Sequence, residues 1–283
     1  MSSAEFAVRI MTRRDMDMAV AWAAMEGWNP GIHDAESFFS ADPNGFFIGE
    51  VNREPVATLS AVSYGERFGF LGFYIVKPEH RGKGFGMQIW NAGLGWLQGR
   101  NVGLDGVVAQ QDNYKKSGFK LAYRNIRYEG RGGGKLPTHG GLQPLTALPF
   151  QAVEAYDRPC FPENRTRFLA SWLHQPQGIA LGVVLNGDLA GYGVIRPCRQ
   201  GFKVGPLMAD TPEVAETLFL ALKAGVPPSE PVYLDVPEVN HEAVSLAARH
   251  QMDIVFETAR MYTGPAPDIP LHRLYGVTSF ELG

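Results

Sequence analysis

The residues best suited to chemistry lie in a glycine-rich loop that reads Arg81-Gly82-Lys83-Gly84-Phe85-Gly86. Glycines at alternate positions let successive backbone N–H groups converge without obstruction by side chains, which produces a nest for anionic oxygens. A helix that begins directly behind such a loop adds the partial positive charge of its N-terminus. Arg81 and Lys83 add two formal positive charges. The loop is therefore predicted to bind phosphate.

Two common phosphate-binding motifs do not fit this loop. A Walker loop needs Ser or Thr after its Gly-Lys pair, but Gly84 follows Lys83. A dinucleotide-binding loop needs the pattern G-x-G-x-x-G, whereas Gly82, Gly84 and Gly86 are two residues apart. A second glycine-rich stretch, residues 130–135, ends in lysine but lacks the hydroxyl residue and a following helix. Another class of phosphate-binding loop is needed.

The loop requires a strand before it and a helix after it, and the sequence predicts both. Residues 68–76 form an apolar run that is typical of a buried strand. A helix is predicted over residues 86–98, a further strand over 102–108 and a short helical turn over 113–118. The loop then lies where a central strand passes into a helix.

The element order of the first half recurs in the second half. At one constant offset, three glycines of the first half fall on glycines of the second: Gly45 on Gly178, Gly49 on Gly182 and Gly72 on Gly205. The glycine-rich residues 131–141 cannot build a core and are predicted to be a linker. We therefore predict a duplicated α/β unit, with a first domain over residues 1–130 and a second over 142–283.

Composition excludes several classes of protein. The 283 residues include 26 Lys and Arg and 29 Asp and Glu, a net charge of −3, so a nucleic-acid partner is not expected. No stretch approaches the ~20 apolar residues that cross a bilayer, and charges interrupt the region where a signal peptide would be apolar. Cys160 and Cys198 have no Cys or His neighbours at ligand spacing, so neither a disulfide framework nor a metal is expected. These features predict a cytoplasmic globular protein without membrane contact.

Two motifs in sequence order point to one family. The first is Arg81-x-x-Gly84-x-Gly86, and the second is a tyrosine four residues before Gly-Phe in the string Tyr114-Lys115-Lys116-Ser117-Gly118-Phe119. With the strand and helix between them, they resemble the pyrophosphate loop and the second hallmark of the GNAT (Gcn5-related N-acetyltransferase) superfamily. The resemblance implies a tandem GNAT fold of the α/β (α+β) class, with two mixed, mostly antiparallel sheets flanked by helices. It also implies acetyl-CoA as cofactor and coenzyme A as product.

The resemblance implies roles for individual residues. The pantetheine arm of acetyl-CoA is expected to hydrogen-bond to the strand that carries Tyr74, Ile75 and Val76. Tyr114 is expected to protonate the departing CoA thiolate as general acid. The other implied cofactor-binding residues are those of the loop and one neighbour of the tyrosine: Arg81, Gly82, Lys83, Gly84, Phe85, Gly86 and Asn113.

Acetyl transfer to an amine also needs a base, because an amine of pKa near 10 is about 99.9% protonated at pH 7 and its deprotonation costs roughly 4 kcal/mol. Many GNAT enzymes place a Glu on the central strand, but residues 68–76 contain none. Glu26 and Asp34 are our candidates for the base. They flank a loop in which Trp28 and Asn29 are expected to contact the substrate. Alternatively, this loop only terminates a helix.

Two further features bear on the substrate site. Asp105, in Leu104-Asp105-Gly106, either orients the substrate or caps a turn. In the second half, the constant offset places residues 214–219 on the phosphate loop, and this stretch has no glycine or cation and includes Glu216. We therefore assign acetyl-CoA binding to the first half and a substrate-shaping role to a degenerate second half. Residues 275–283 resemble a YitH-like bacterial tandem subgroup.

The sequence thus predicts an N-acetyltransferase that moves an acetyl group from acetyl-CoA to a primary amine of a small molecule by direct attack. A monomer or a homodimer is expected. One alternative is an acyl-CoA sensor without catalysis, which retains the loop but does not need the hydroxyl of Tyr114. A tandem ligase that uses aminoacyl-tRNA is disfavoured by the negative net charge and by the intact pyrophosphate loop.

Overall fold

The computed structural model describes residues 5–138 and 140–283. Within them, thirteen strands form one hydrogen-bonded sheet. The strands are β1 Phe6–Ile10, β2 Phe46–Val51, β3 Glu54–Tyr64, β4 Phe68–Val76, β5 Asn101–Val107, β6 Lys120–Arg131, β7 Leu142–Pro144, β8 Ile179–Leu185, β9 Asp188–Pro197, β10 Phe202–Ala209, β11 Pro231–Pro237, β12 Asp253–Tyr262 and β13 Leu274–Gly276.

The α-helices cover both faces of this sheet. They are α1 Arg13–Met25, α2 Asp34–Ala41, α3 Phe85–Trp96, α4 Gln111–Lys116, α5 Phe150–Asp157, α6 Thr166–Trp172, α7 Pro212–Ala224 and α8 His241–Arg249. Local sequence explains where several begin: Thr12 and Asp15 form a capping box before α1, and Thr211 caps α7 with Pro212 at its first position. The elements predicted around the phosphate loop correspond to β4, α3, β5 and α4, within two residues at each boundary.

The two halves exchange their last strands. The strand order is β1-β2-β3-β4-β5-β12-β6-β11-β10-β9-β8-β7, with β13 paired to β10. β12 of the second half therefore lies between β5 and β6 of the first half, and β6 continues into the second half by pairing with β11 along its length. The two predicted sheets are thus the arms of one continuous sheet.

The segment predicted as a linker lies against the second half. The N–H of Gly132 donates to the carbonyl of Glu230 at 3.0 Å, and the N–H of Gly133 donates to that of Lys223 at 2.9 Å. Gly133 has a positive φ of 77°, and a Cβ there would meet Pro228. Glycine is needed here for close packing as much as for a turn. His139 of the predicted linker lies outside the described residues.

Helices from both halves also pack against each other. Phe38 of α2 stacks on Trp172 of α6 with ring centroids 5.9 Å apart, and both rings are fully buried. Beside them, the hydroxyls of Ser37 and Ser171 are 2.9 Å apart. Together with the strand exchange, this contact joins the two halves.

The central strands of the first half separate at one end. β4 and β5 are parallel and pair only from Phe68 with Asn101 to Leu71 with Leu104. Two residues later, Phe73 has a positive φ of 47°, in a region that bulky residues rarely adopt, and the register between β3 and β4 shifts nearby. Such an irregularity bends a strand, and it leaves a gap between the outer ends of β4 and β5.

Candidate active site

The glycine-rich loop is shaped for backbone contact with an anion. Gly82 and Gly84 have positive φ values of 74° and 82°, and a Cβ at either would meet nothing within 4 Å. Gly84 is the N-cap of α3, and no side chain caps that helix. The first N–H groups of α3 have no partner within the helix and remain available to a ligand. The loop backbone is therefore open to an anion, and phosphate binding at this loop stays a prediction.

Arg81 is held at the edge of this loop by two contacts. Its Nε donates to the carbonyl of Val76 at 2.8 Å, and its Nη2 lies 2.6 Å from the Oε1 of Glu26. Glu26, a predicted base, is therefore close to the loop, but its carboxylate is engaged by a cation. A carboxylate paired with a cation is a weaker base, so this contact disfavours the predicted role of Glu26.

An open groove of about 570 Å³ runs along the loop. Most of the residues predicted to bind the cofactor line it, together with Glu26, Trp28 and Tyr114. The lining residues from the loop and from β4 are Tyr74, Ile75, Val76, Arg81, Gly82, Gly84 and Gly86. Gly86 must be small, because a Cβ there would lie 2.6 Å from the Oη of Tyr74.

Three residues predicted to bind the cofactor do not line the groove. The ring of Phe85 stacks on Phe6 with centroids 4.7 Å apart and planes 10° apart, so its side chain anchors α3 to the first strand. Asn113 is exposed and donates to Gln110 at 2.7 Å. Lys83 is exposed beside the groove. Of the three, only the backbone of Phe85 and the charge of Lys83 are placed to contribute to anion binding.

A smaller cavity of about 50 Å³ fills the gap between β4 and β5. Its floor is formed by the outer ends of both strands, and aromatic side chains form much of its wall. Five residues line both the cavity and the groove, so the two spaces adjoin; these are Trp28, Tyr74, Val107, Tyr114 and Phe256.

Tyr114 lies where cavity and groove meet. Its ring stacks on Trp90, with centroids 5.7 Å apart and planes 26° apart, and packs so closely on Gly106 that a Cβ there would clash. Burial raises the pKa of the Tyr114 hydroxyl to about 12, so this group is protonated at neutral pH. The hydroxyl has no hydrogen-bond partner among the described residues. The structure thus places a protonated hydroxyl without a partner where the cavity and the groove meet.

Asp34 is not a base, contrary to the prediction. Its carboxylate is fully buried and is held by Arg196 at 2.7 and 3.1 Å, by the N–H of Gly31 at 2.9 Å and by Gln175 at 3.2 Å. It lines neither the cavity nor the groove. A carboxylate with these partners has no access to a substrate amine.

Asn29 and Asp105 also have structural partners. The side chain of Asn29 donates to the carbonyl of Gln200 and accepts from its N–H, both at 2.9 Å, and so joins the two halves instead of lining the site. Asp105 lies within β5 and does not cap a turn. It borders the cavity, but Arg260 from β12 binds both of its oxygens at 2.8 and 2.6 Å. Its predicted contact with substrate is therefore replaced by this ion pair.

The structure adds two polar residues that sequence reasoning missed, Glu281 and Thr258. Both line the cavity and are nearly fully buried. Burial raises the pKa of the Glu281 carboxyl, which has no hydrogen bond or ion pair among the described residues. The Thr258 hydroxyl also lacks a partner there. The sequence signal for Glu281 was weak, a single carboxylate between the apolar residues Phe280 and Leu282.

The second half lacks a comparable loop. α7 begins at Pro212, so residues 214–219, which the constant offset placed on the loop, lie inside the helix. The segment before α7 has no glycine or cation, and Glu213 lies in its first turn. Over the described ranges 5–138 and 140–283, there is no cluster of three potential metal ligands. In the same ranges, no helix is long and apolar enough to span a membrane.

Comparison with known proteins agrees with this geometry. Residues 14–119 match the model of the acetyltransferase (GNAT) family, and residues 153–276 match that of an acetyltransferase (GNAT) domain. A holothin acyltransferase from Pseudoalteromonas sp. (strain SANK 73390) is 34% identical over 263 residues, which cover 93% of this chain and 89% of that protein.

Solved structures show the same fold over the whole chain. A putative acetyltransferase from Pyrococcus horikoshii superposes with a TM-score of 0.82 at 23% identity, covering 98% of this chain and 96% of that one. A tandem GNAT protein from the clavulanic acid biosynthesis pathway superposes with a TM-score of 0.64 at 14% identity, covering 93% of this chain and 100% of that one. The predicted YitH-like subgroup stays a prediction. The chain belongs to the GNAT family of acyltransferases, with two GNAT units in tandem.

Proposed function

We propose that this protein transfers an acetyl group from acetyl-CoA to a primary amine of a small molecule. The observation that carries the proposal is the junction at Tyr114, where a groove with a phosphate nest meets a cavity between separated strands. A molecule with a pyrophosphate at one end and a reactive thioester at the other matches this arrangement. The net charge of −3 supports a small acceptor over a nucleic acid.

The residues present fit acetyl-CoA at both ends. The unpaired N–H groups at the start of α3 and the side chain of Arg81 suit the pyrophosphate. Beyond Leu71, β4 has no partner strand on its β5 side, so its backbone groups are available to an extended pantetheine arm. Acetyl-CoA supplies an activated acyl group, and this chain's residues bind it, orient it and exchange protons.

Tyr114 is the proposed general acid. When the carbon–sulfur bond of the thioester breaks, the thiolate leaves as an anion that must gain a proton. The Tyr114 hydroxyl is protonated, unpartnered and placed at the junction, and its pKa of about 12 keeps it protonated across the neutral range. The holothin acyltransferase relative is consistent with an acyl transfer of this kind.

The test is calorimetric titration of acetyl-CoA into the wild type and a Gly84→Glu variant. A carboxylate in the phosphate nest opposes the helix N-terminus and the pyrophosphate, so we expect affinity to fall by about 10²-fold. Gly99→Glu is the matched control, because Gly99 is an exposed glycine with a positive φ of 84° and no neighbours within 4 Å, remote from the loop. It should bind like the wild type. Absence of binding by the wild type would overturn the proposal.

A further inference from the structure

A buried group of charges lies at the boundary between the two halves. Its cations are Arg127 of β6, Arg196 of β9 and Lys203 of β10, and its carboxylates are Asp34 of α2, Asp235 of β11 and Glu281. Arg196 binds Asp34, and Arg127 binds Asp235 through two bonds of 2.6 and 2.7 Å. Lys203 donates to the carbonyl of Asn29 at 3.0 Å. Within the described residues, Glu281 is the carboxylate of this group without a direct partner.

Leaving a buried carboxylate without a partner is costly, so its position needs a reason. Glu281 is 3% exposed and belongs to a segment, residues 277–283, that we call the tail. The tail crosses from the second half to β4 of the first, where the backbone of Glu281 occupies the space that a Cβ of Gly72 would need. Tyr64 donates to the carbonyl of Leu282 at 3.1 Å and fixes the tail there. Glu281 is thus held at the cavity.

The cavity offers Glu281 a ligand of defined chemistry. Its walls include the aromatic rings of Trp28, Phe73, Phe256 and Phe280, which suit an apolar or planar body. Besides Glu281, the Thr258 hydroxyl is buried there without a partner. An acceptor that satisfies both groups carries N–H donors on an otherwise apolar molecule. The mostly apolar lining disfavours a long polycation, because it would leave several ammonium groups without polar partners.

We propose that Glu281, delivered by the tail of the second half, is the general base of the site in the first half, and that the acceptor is a primary amine on a compact apolar body. This inference rests on the proposed function. The Glu281 carboxylate takes one proton from the ammonium form, and the neutral nitrogen forms the N–C bond at the thioester carbonyl carbon. The C–S bond breaks as the thiolate takes the proton of Tyr114. The nitrogen then loses a second proton, which restores the tyrosine by way of solvent. The protonated Glu281 releases its proton to solvent, and the products are an amide and coenzyme A.

The electrostatic surroundings agree with this role. Burial is the largest influence on Glu281 and raises the pKa of its carboxyl, which makes the carboxylate a stronger base than one in water. Asp34 raises that pKa further, whereas Lys203, Arg127 and Arg196 lower it. Activity requires the ionised form, so the rate should fall as the pH drops through this raised pKa.

The experiment compares Glu281→Gln with the wild type in acetyl transfer to 2-phenylethylamine, to holothin and to spermidine. Loss of a general base lowers rates by on the order of 10²–10⁴-fold, and we expect kcat/KM to fall by about 10²-fold at pH 7. The affinity for acetyl-CoA should stay within about twofold, because the glutamine is isosteric and lies outside the phosphate groove. In the variant, the acidic limb of the pH–rate profile should disappear.

Glu257→Gln is the matched control, since Glu257 also lies near the site on β12 but is 40% exposed and pairs with Arg124. It should retain wild-type rates and the acidic limb. The inference is wrong if Glu281→Gln keeps the rate and the acidic limb of the wild type, or if spermidine is preferred to the two compact amines. If the wild type binds acetyl-CoA but acetylates none of the three, the proposed function itself fails, and the inference with it.

Discussion

Each half of the molecule contains two parallel strands that pair at one end and separate at the other. In the first half these are β4 and β5, and the gap between them is the cavity beside Tyr114. In the second half they are β10 and β11, which pair only from Phe202 with Val232 to Val204 with Leu234. There the gap is filled by β13, because Gly276 pairs with Leu207 and the N–H of Val277 donates to the backbone carbonyl of Asp235 at 2.8 Å. The fold thus makes a gap in both halves. The gap of the first half is open to a ligand, whereas that of the second half is filled by β13.

The helices that follow the two gaps differ in the same way: the N-terminus of the first is open, and that of the second is capped. α3 begins at a glycine and has no side-chain cap, so its first N–H groups are open. α7 begins at Thr211, whose hydroxyl accepts from the N–H of Val214 at 3.4 Å. Glu213 adds a carboxylate at that end, and a hydrogen bond with Thr211 lowers its pKa. The N-terminus of α7 is therefore already capped and carries a negative charge, so it is unfavourable for an anion.

The largest effect is expected from a substitution that narrows the open gap between β4 and β5. In Gly106→Ala, the added methyl meets the ring of Tyr114, which must move from its stack on Trp90. A shift of 1 Å near the reacting atoms costs on the order of 10²-fold, and we expect kcat/KM to fall by more than that because the gap also narrows. Gly95→Ala is the control, since Gly95 is exposed in α3 with nothing within 4 Å. It should keep full activity and gain about 0.5–1 kcal/mol in free energy of unfolding.

A second prediction separates the chemistry of the open gap from its binding. Tyr114→Phe keeps the ring and its stack on Trp90 but removes the proposed proton donor. We expect kcat to fall by about 10²-fold, while the dissociation constant for acetyl-CoA is unchanged. Stopped-flow detection of free thiol gives kcat, and calorimetry gives the constant. Unchanged turnover would favour another proton donor at the junction, and an inactive wild type would favour an acyl-CoA sensor.

A third prediction concerns the filled gap. Asn240 caps α8 and donates through Nδ2 to the carbonyls of Leu271, His272 and Leu274 at 3.0–3.2 Å, which anchors β13. Asn240→Ala leaves buried carbonyls unsatisfied and removes a cap, so we expect a loss of about 2 kcal/mol in free energy of unfolding. Chemical denaturation measures it. Acetyl-CoA affinity should not change, and a parallel loss of affinity would contradict a purely structural role for the filled gap.

The prediction with the smallest expected effect tests the role of charge near the N-terminus of α3. Glu26→Gln removes a carboxylate from the groove and frees Arg81 for the pyrophosphate. Because the pair is partly exposed, we expect acetyl-CoA to bind about threefold more tightly at low salt, with a smaller gain at high salt. Calorimetry at two salt concentrations measures both values. Weaker binding would show that Glu26 is needed to orient Arg81.

The part of the fold and site that depends on short-range pattern could be predicted from sequence. The boundaries of β4, α3 and β5 follow from an apolar run, a glycine loop and a second apolar run, all local. Two ion pairs could not be predicted from sequence, those of Asp34 with Arg196 and of Asp105 with Arg260. Their partners are 162 and 155 residues apart in the chain. The sequence does not show which distant cation pairs with a carboxylate, so it could not exclude Asp34 as a base or Asp105 as a residue that orients the substrate.

Strand partners were unpredictable for a related reason. Alternating or apolar patterns identify a strand but not its neighbour, so the exchange of β6 and β12 has no sequence signal. Glu281 reaches the cavity only because the second half is folded around it and the tail is docked on Gly72. Its role depends on tertiary structure alone.

The exchanged strands also impose an order on biosynthesis. β5 and β6 are complete once residue 131 has left the ribosome, but β12, which belongs between them, ends at Tyr262. At about 5–20 residues per second, the nascent first half waits on the order of ten seconds with two unpaired strand edges, which are templates for aggregation. A message truncated in the second half would release a first half that has its phosphate loop but an open sheet. Such truncated products should depend on chaperones or be degraded.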